Sequence, residues 1–467
     1  MCCLNSTIIS RKLVKDYTLL DTIQTMRDRL ACGATTSRAL VEEALFRAGA
    51  SDGEGRLVFT SLDPSRARAA ADGVDALRSA GVDLSPIAGI PVSLKDLFDV
   101  KGEVTAAGSA VLRGREPAAA DAPVIARLKR AGAILFGRTN MTEFAFYGVG
   151  LNPHYGTPAN PYDRARRLIP GGSSSGAAVS VSDGMALAGI CSDTGGSARI
   201  PAALCGLTGF KPTQSRVPLE GVFPLSPTLD SVGVIAPTVA CCGAVDAIVA
   251  GEPWLNLQPA NLGSKLIGVP KNFFCENLDP HVAKSFESAV SVISRAGARI
   301  LDVALPGLCN IATINSKGGF AAAESYAYHH RLAAPFDAYD PLVRERILRG
   351  KDLSAADYLD MVHTRALLIR AFDKAHAELD FILCPTVPLV APEIRALQES
   401  AEEFRRVNLL LLRNPSVANL LDRCALSVPC HGRGEAPVGL MLIGRRLEDR
   451  KLLSFGTAVE QALSRCR

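Results

Sequence analysis

Two glycine–serine clusters bracket the stretch that most constrains this 467-residue chain. "PGGSSSG" occupies residues 170–176 and "SDTGGSAR" residues 192–199, and the segment between them, 177–191, is mostly small and apolar. A glycine–serine linker is flexible and would be flanked by polar sequence. Here the first cluster runs straight into a segment suited to burial, so it reads as a glycine-rich loop opening a helix, its free backbone N–H groups pointing forward. The second cluster follows the apolar strand "ALAGIC". It therefore stands at the C-terminal end of a strand, where open α/β sheets build their sites.

Gly195 and Gly196 let backbone N–H groups crowd around one point with no Cβ in the way. A serine closing such a nest, Ser197, can attack a carbonyl while the preceding amides hold the oxyanion. The same serine could equally cap a tight turn. "GSSSG" at 172–176 also matches the nucleophile-elbow pattern with Ser174 in the central place. That motif needs a buried strand before it, and Arg164, Arg166, Arg167 and Pro170 stand there instead; none of the seven histidines lies in a distinctive context. Without histidine, a lysine at a strand end can serve as base if desolvation keeps it neutral. Lys95 closes the apolar "GIPVSLK". Bringing a lysine from about 10.4 to near 7 costs roughly 4–5 kcal/mol, so it must be buried or hydrogen-bonded when neutral. A salt bridge to Asp96 or Asp99 is the alternative use for it.

Elsewhere helix, glycine stop and apolar strand follow one another. The first eighty residues read as helices, with Leu40, Val41, Ala44 and Leu45 on one face of "TTSRALVEEALFRA" and Ser37 as its cap. A strand falls around Ile90–Leu94. Asp121 caps a helix with Pro123 in its first turn, Gly132 stops it and "AILFG" follows; a like unit covers residues 279–305, stopped by Gly297. Residues 310–380 read as a helical layer, and strand signals return in "FILCPTVPL", "CALSVPC" and "PVGLMLIGR". The expectation is an α/β fold: one large domain with a central mixed, mainly parallel sheet covered by helices on both faces. Within it, 1–80 form N-terminal helices, 85–240 the catalytic core, 310–380 the helical layer and 381–467 the C-terminal strands and helices.

A net charge of +4 on this length argues for neither nucleic acid nor an anionic membrane as partner. "RARR" at 164–167 reads as a solvated loop. The thirteen cysteines are scattered, apart from Cys2–Cys3 and Cys241–Cys242, and no C-x-x-C or H-E-x-x-H occurs. That usage argues against a zinc site and suits free thiols in the cytoplasm. The N-terminus lacks the apolar core of a signal peptide, Cys2 stands where myristoylation needs glycine, and no run reaches the length of a membrane span.

"GIPVSLKD", "PGGSSSG" and "DTGGSARIPAALCG", in this order and spacing, resemble the amidase signature family of Ser–cis-Ser–Lys hydrolases. "GRTNMTEF", "NP" at 160–161, "GFKPT", "CPTVP" and "PVGLMLIG" extend the resemblance over most of the chain. It implies that Ser197 is the acylated nucleophile, Ser173 the bridging serine with a cis peptide bond to Gly172, and Lys95 the terminal base. It implies oxyanion donors in the amides of Thr194, Gly195, Gly196 and Ser197, with no metal and no cofactor. Ser174 and Ser175 then shape the loop, and Asp193 and Arg199 are structural. The implied activity is hydrolysis of a small-molecule amide through an acyl-Ser197 intermediate. Carbamate or urea-derivative hydrolysis is one alternative, and the glutaminase subunit of tRNA-dependent amidotransferases is the other. Against that glutaminase, Ile200 replaces the glutamine expected after the arginine, and "ESYAYHHRLAAPFDAYDPLVRER" has no clear glycine- and arginine-rich stretch. Substrate contact is assigned to Met141, Phe144 and Tyr147, with Phe146 beside them as a further candidate wall, and to Gly171 and Gly172. His431 departs from an expected glycine. A homodimer is left open.

Overall fold

Strands that take helices on both sides are mostly apolar, and six of those found here are buried at every residue. The computed structural model describes residues 20–465, apart from Asp83, Leu255, Leu305 and Ala333. Cys2, Cys3 and the rest of the N-terminal segment lie outside the described residues. In chain order the strands are β1 (Phe59–Leu62), β2 (Pro91–Lys95), β3 (Ile134–Thr139), β4 (Ala188–Ser192), β5 (Thr208–Lys211), β6 (Val232–Ala236), β7 (Leu266–Pro270), β8 (Arg299–Val303), β9 (Phe381–Pro385), β10 (Ala425–Pro429) and β11 (Gly439–Ile443). They form one sheet in the order β1-β3-β2-β4-β6-β5-β10-β11-β9-β7-β8, flanked by helices. The mixed sheet of a single domain is as expected. Its parallel majority is not: six of the ten pairings are antiparallel, including the whole run from β4 through β9. The helix–stop–strand units used to infer parallel strands lie at the two flanks, at β3 and at β8. The centre is joined by connections whose direction carries no local signal.

Local caps differ in two places. The helix Ser37–Gly49 is capped by Thr36, whose side chain accepts from Ala39 N, while Ser37 is its first residue and buried. Ala122 takes the cap position of Pro123–Arg130 without a side-chain bond. Asp121 instead accepts from Lys101 N and from Lys129 Nζ, tying the end of the helix to an earlier loop. The N-terminal helices are interrupted by β1, an edge strand that pairs with β3. The "RARR" loop is ion-paired rather than merely solvated: Arg164 bonds Asp183 and Arg166 bonds Glu393. His431 has a role a glycine could not fill, since its ring Nδ1 accepts from Val438 N and closes the turn between β10 and β11.

Two short helices bring the glycine–serine clusters together. Ser175–Ser182 packs on β4 and β2, and Arg199–Leu204 packs on β5 and β10. The helix Ala401–Leu420, from the far end of the chain, lies against the second of these and supplies Asn419.

Candidate active site

β2 and β4 run parallel side by side, with Leu94 opposite Ile190, so Lys95 and Ser192 emerge together at their C-terminal ends. Lys95 is fully buried. Its Nζ donates to Ser192 Oγ at 2.8 Å and to Ser173 Oγ at 2.7 Å. Neither neighbouring aspartate takes it: Asp96 accepts from Arg138 and from Gly108 N, and Asp99 accepts from Thr105 Oγ1. Fully buried among hydroxyls, the ammonium loses solvation that those two bonds do not replace in full. Burial lowers its pKa to about 8, against the opposing pull of more distant acidic groups.

Ser173 arrives on a loop held by main-chain bonds. Gly172 N donates to Gly148 O at 2.7 Å, Thr142 N donates to Ser173 O at 3.0 Å, and the Gly172–Ser173 peptide is cis. Gly172 must be glycine, because a Cβ there would stand 2.6 Å from Gly150 N. Ser174 is buried at the head of the helix Ser175–Ser182. Its hydroxyl lies beside the buried Cys191 thiol and faces no base, which removes the elbow arrangement.

Past β4 the chain turns through residues 193–198. The Asp193 carboxylate organises this turn, accepting from Gly196 N at 2.9 Å, Ala198 N at 3.1 Å, Arg199 Nη2 at 2.8 Å and Asn419 Nδ2 at 2.9 Å. Burial works against its charge, yet the Arg199 guanidinium holds it well below the usual carboxylate range. One expected oxyanion donor is corrected here: the Gly196 amide already serves Asp193. Among the described residues the amides of Thr194, Gly195 and Ser197 donate to nothing. Ser197 is 3% exposed, and its hydroxyl makes no hydrogen bond to Ser173 or to any other described residue. The structure thus joins Lys95 to Ser173 and leaves Ser197 in the adjacent turn.

The expected substrate contacts are tightly packed. Phe144, at φ 51°, stacks on Phe223 and meets His329 and Tyr339 edge-on or tilted. The Tyr147 hydroxyl donates to Leu342 O and its ring meets Phe404. Met141 is buried beside Gly108, and Gly171, at φ 79°, lies against Leu204 and Ile200. Three residues to which the sequence reading gave no role complete the site: Ser192, Asn419 and Asp230, whose Oδ1 accepts from Thr194 Oγ1 at 2.5 Å. Ser192 could have been read from its place beside the loop. Asn419 and Asp230 had no local signal. Asp230 also lines a cavity of about 500 Å³, walled by Thr105, Leu219, Phe223 and Tyr328 among others. Among the described residues no group of three or more His, Cys, Asp or Glu side chains is placed to hold a metal, and no helix is long and apolar enough to cross a membrane.

The family model described as Amidase matches residues 39–453. A 2-amino-5-chloromuconic acid deaminase of Comamonas testosteroni is 36% identical over 412 residues, covering 86% of this chain and 87% of that protein. The A subunit of the glutamyl-tRNA(Gln) amidotransferase of Roseiflexus sp. (strain RS-1) is 34% identical over 475 residues, covering 94% and 96%. Among solved structures, a crystal structure of an amidase superposes with a TM-score of 0.81 at 34% identity, covering 94% of this chain and 99% of that one. The native peptide amidase from Stenotrophomonas maltophilia gives 0.79 at 27% identity, covering 97% and 98%.

Proposed function

This chain belongs to the amidase family, and from that premise we propose that its amide hydrolysis runs through Ser197, relayed by Ser173 to Lys95. The observation that carries the reading is the 2.7 Å contact between Lys95 and Ser173 in a pocket of hydroxyls, where burial brings the lysine within reach of neutrality. Once neutral, its lone pair accepts the Ser173 proton over that same contact. Ser173 in turn takes the Ser197 proton as Oγ bonds the substrate carbonyl carbon. The carbonyl oxygen becomes an oxyanion facing the unengaged amides of Thr194, Gly195 and Ser197. When the tetrahedral species collapses, the C–N bond breaks and the proton passes back through Ser173 to the leaving nitrogen. Water then attacks the acyl ester by the same route and frees Ser197.

Two relatives' names point to different substrates, and Ile200 favours the small-molecule side. Its side chain is buried and reaches toward Gly148, Gly171 and Gly196, so the wall between the two catalytic loops is apolar where the amidotransferase reading needs a polar residue. An amide with an apolar acyl group fits that wall. Cys191, Cys205, Cys242, Cys384 and Cys424 are buried thiols outside any disulfide, which suits a reducing, cytoplasmic setting.

Ser197→Ala is expected to abolish hydrolysis with the fold intact by circular dichroism, and a fluorophosphonate to label Ser197. With hydroxylamine present, an amide and an ester of one acyl group should give hydroxamate and acid in the same ratio, since both pass through one acyl-enzyme. Clearly different ratios, or labelling at Ser174, would reject the mechanism.

A further inference from the structure

Antiparallel pairing of β4 with β6 sets Ser192 opposite Val232, and the ladder continues beyond the strands. Asp193 and Ser231 exchange main-chain bonds, which leaves Thr194 opposite Asp230. Asp230 Oδ1 accepts from Thr194 Oγ1 at 2.5 Å, and Oδ2 accepts from Leu225 N and Ser226 N at 3.0 Å each. All three partners donate. An ionised carboxylate satisfies that pattern with charge-assisted bonds; a protonated one keeps the Thr194 bond only as a weaker neutral one, with the Thr194 hydroxyl accepting instead of donating.

We propose that Asp230 is the positioning residue of the oxyanion turn: as a carboxylate it holds the Thr194 hydroxyl and thereby aims the Thr194 amide at the carbonyl attacked by Ser197. The proposal rests on Ser197 being the nucleophile. Its physical need is plain, because Thr194 precedes two glycines, which add little stiffness of their own. Asp193 anchors the turn from Gly196 onward; at its front Ser231 Oγ and Asn419 Nδ2 hold the Asp193 carbonyl oxygen, and Asp230 holds the Thr194 side chain.

Asp230 is 4% exposed, yet it lines the 500 Å³ cavity, which gives protons a route to it. Burial raises its carboxyl to about 6, and Glu324, on the helix Gly319–His329, pushes the same way. Lys95 on β2 faces it with the opposite sign, and Asp99, Arg115, Glu116 and Tyr328 share the cavity. As pH falls through about 6 the carboxyl gains a proton. The Thr194 hydroxyl is the one partner able to reverse its role, so its charge-assisted bond gives way to a weaker neutral one and the oxyanion turn loosens on the acid side. The Lys95 limb near 8 is separate from this one.

The test follows fluorophosphonate labelling of Ser197, together with kcat and KM for an amide the wild type turns over, from pH 5 to 9. Asp230→Asn presents an NH₂ group where the carboxylate accepted. It should slow labelling and kcat by about tenfold to a hundredfold and leave KM within about threefold. The limb near 6 should disappear and the limb near 8 remain. Thr194→Val should reproduce this and Thr194→Ser should restore the wild-type rate, so the proposal remains testable even if Asp230→Asn melts. Unchanged labelling in Asp230→Asn, a surviving limb near 6, or Thr194→Val matching the wild type would overturn the proposal. Labelling that depends on Asp230, in a protein that hydrolyses no amide, would reject the amide reading and leave the role of Asp230 standing.

Discussion

Lys95 and Arg199 are both fully buried cations, and the protein surrounds them in opposite ways. Arg199 meets a full countercharge: two nitrogens bond Asp193, one of them also bonds Asn419 Oδ1, and a third reaches Met441 Sδ. Lys95 meets only the hydroxyls of Ser173 and Ser192. A paired charge keeps its ionisation and becomes a strut that shapes the turn around Ser197. A charge given hydroxyls alone is pushed toward neutrality, which is what the proposed relay asks of its base. The sign of the partner, rather than the depth of burial, separates the two uses.

The hardest way to break this contrast is Lys95→Met. Labelling of Ser197 and amide hydrolysis should drop by about a thousandfold or more, since a relay fails as a unit. Stability should move the other way. Lys95 binds its proton less well when folded, near 8 against 10.5, so the folded state is penalised while the lysine is charged in both states. At pH 7 the variant should therefore gain on the order of 3 kcal/mol in urea unfolding. That gain should fade as pH rises from about 8 through 10.5. A variant that is both active and no more stable would remove Lys95 from the class of reagents.

Arg199→Met probes the strut. It leaves Asp193 buried and unpaired, at an expected loss of about 3–5 kcal/mol. Its chemical denaturation midpoint should fall well below that of Lys95→Met, inverting the order of two substitutions that each delete one buried cation. Equal midpoints would dissolve the comparison. The smallest effect is reserved for Ser192→Ala. It removes one hydroxyl that accepts from Lys95, so the charged lysine loses support and the limb near 8 should shift to lower pH. The rate at pH 7 should stay within about threefold of the wild type. Ser173→Ala removes the other hydroxyl and should cost orders of magnitude, because in the proposed relay only that one passes the proton on.

The site's pieces were legible where short-range chemistry makes them. A lysine ending an apolar strand, a glycine-rich loop opening a helix and a Gly-Gly-Ser turn each follow from burial, sterics and backbone donors within a few residues. Caps proved less legible, since Thr36 and Ser37 are adjacent and both chemically able, and only the direction of chain entry chose Thr36. The Gly196 amide shows why a set of donors read from sequence runs too long. Asp193 lies three residues earlier and takes that amide for itself, while Arg199 and Asn419 hold the carboxylate under the turn.

Sequence alone marked two glycine–serine loops and a lysine ending an apolar strand, because each is specified by its own neighbours in the chain; that they act together was what the resemblance to the amidase signature family implied. Strand direction, and with it the company these groups keep, came from tertiary packing. β4 and β6 lie almost forty residues apart, and only their antiparallel pairing sets Asp230 against Thr194. A parallel neighbour would have put Asp230 at the opposite end of the sheet. Asn419 reaches Asp193 across 226 positions of chain by the docking of one helix. Such pairings depend on how whole elements bury one another, which no local window of residues encodes.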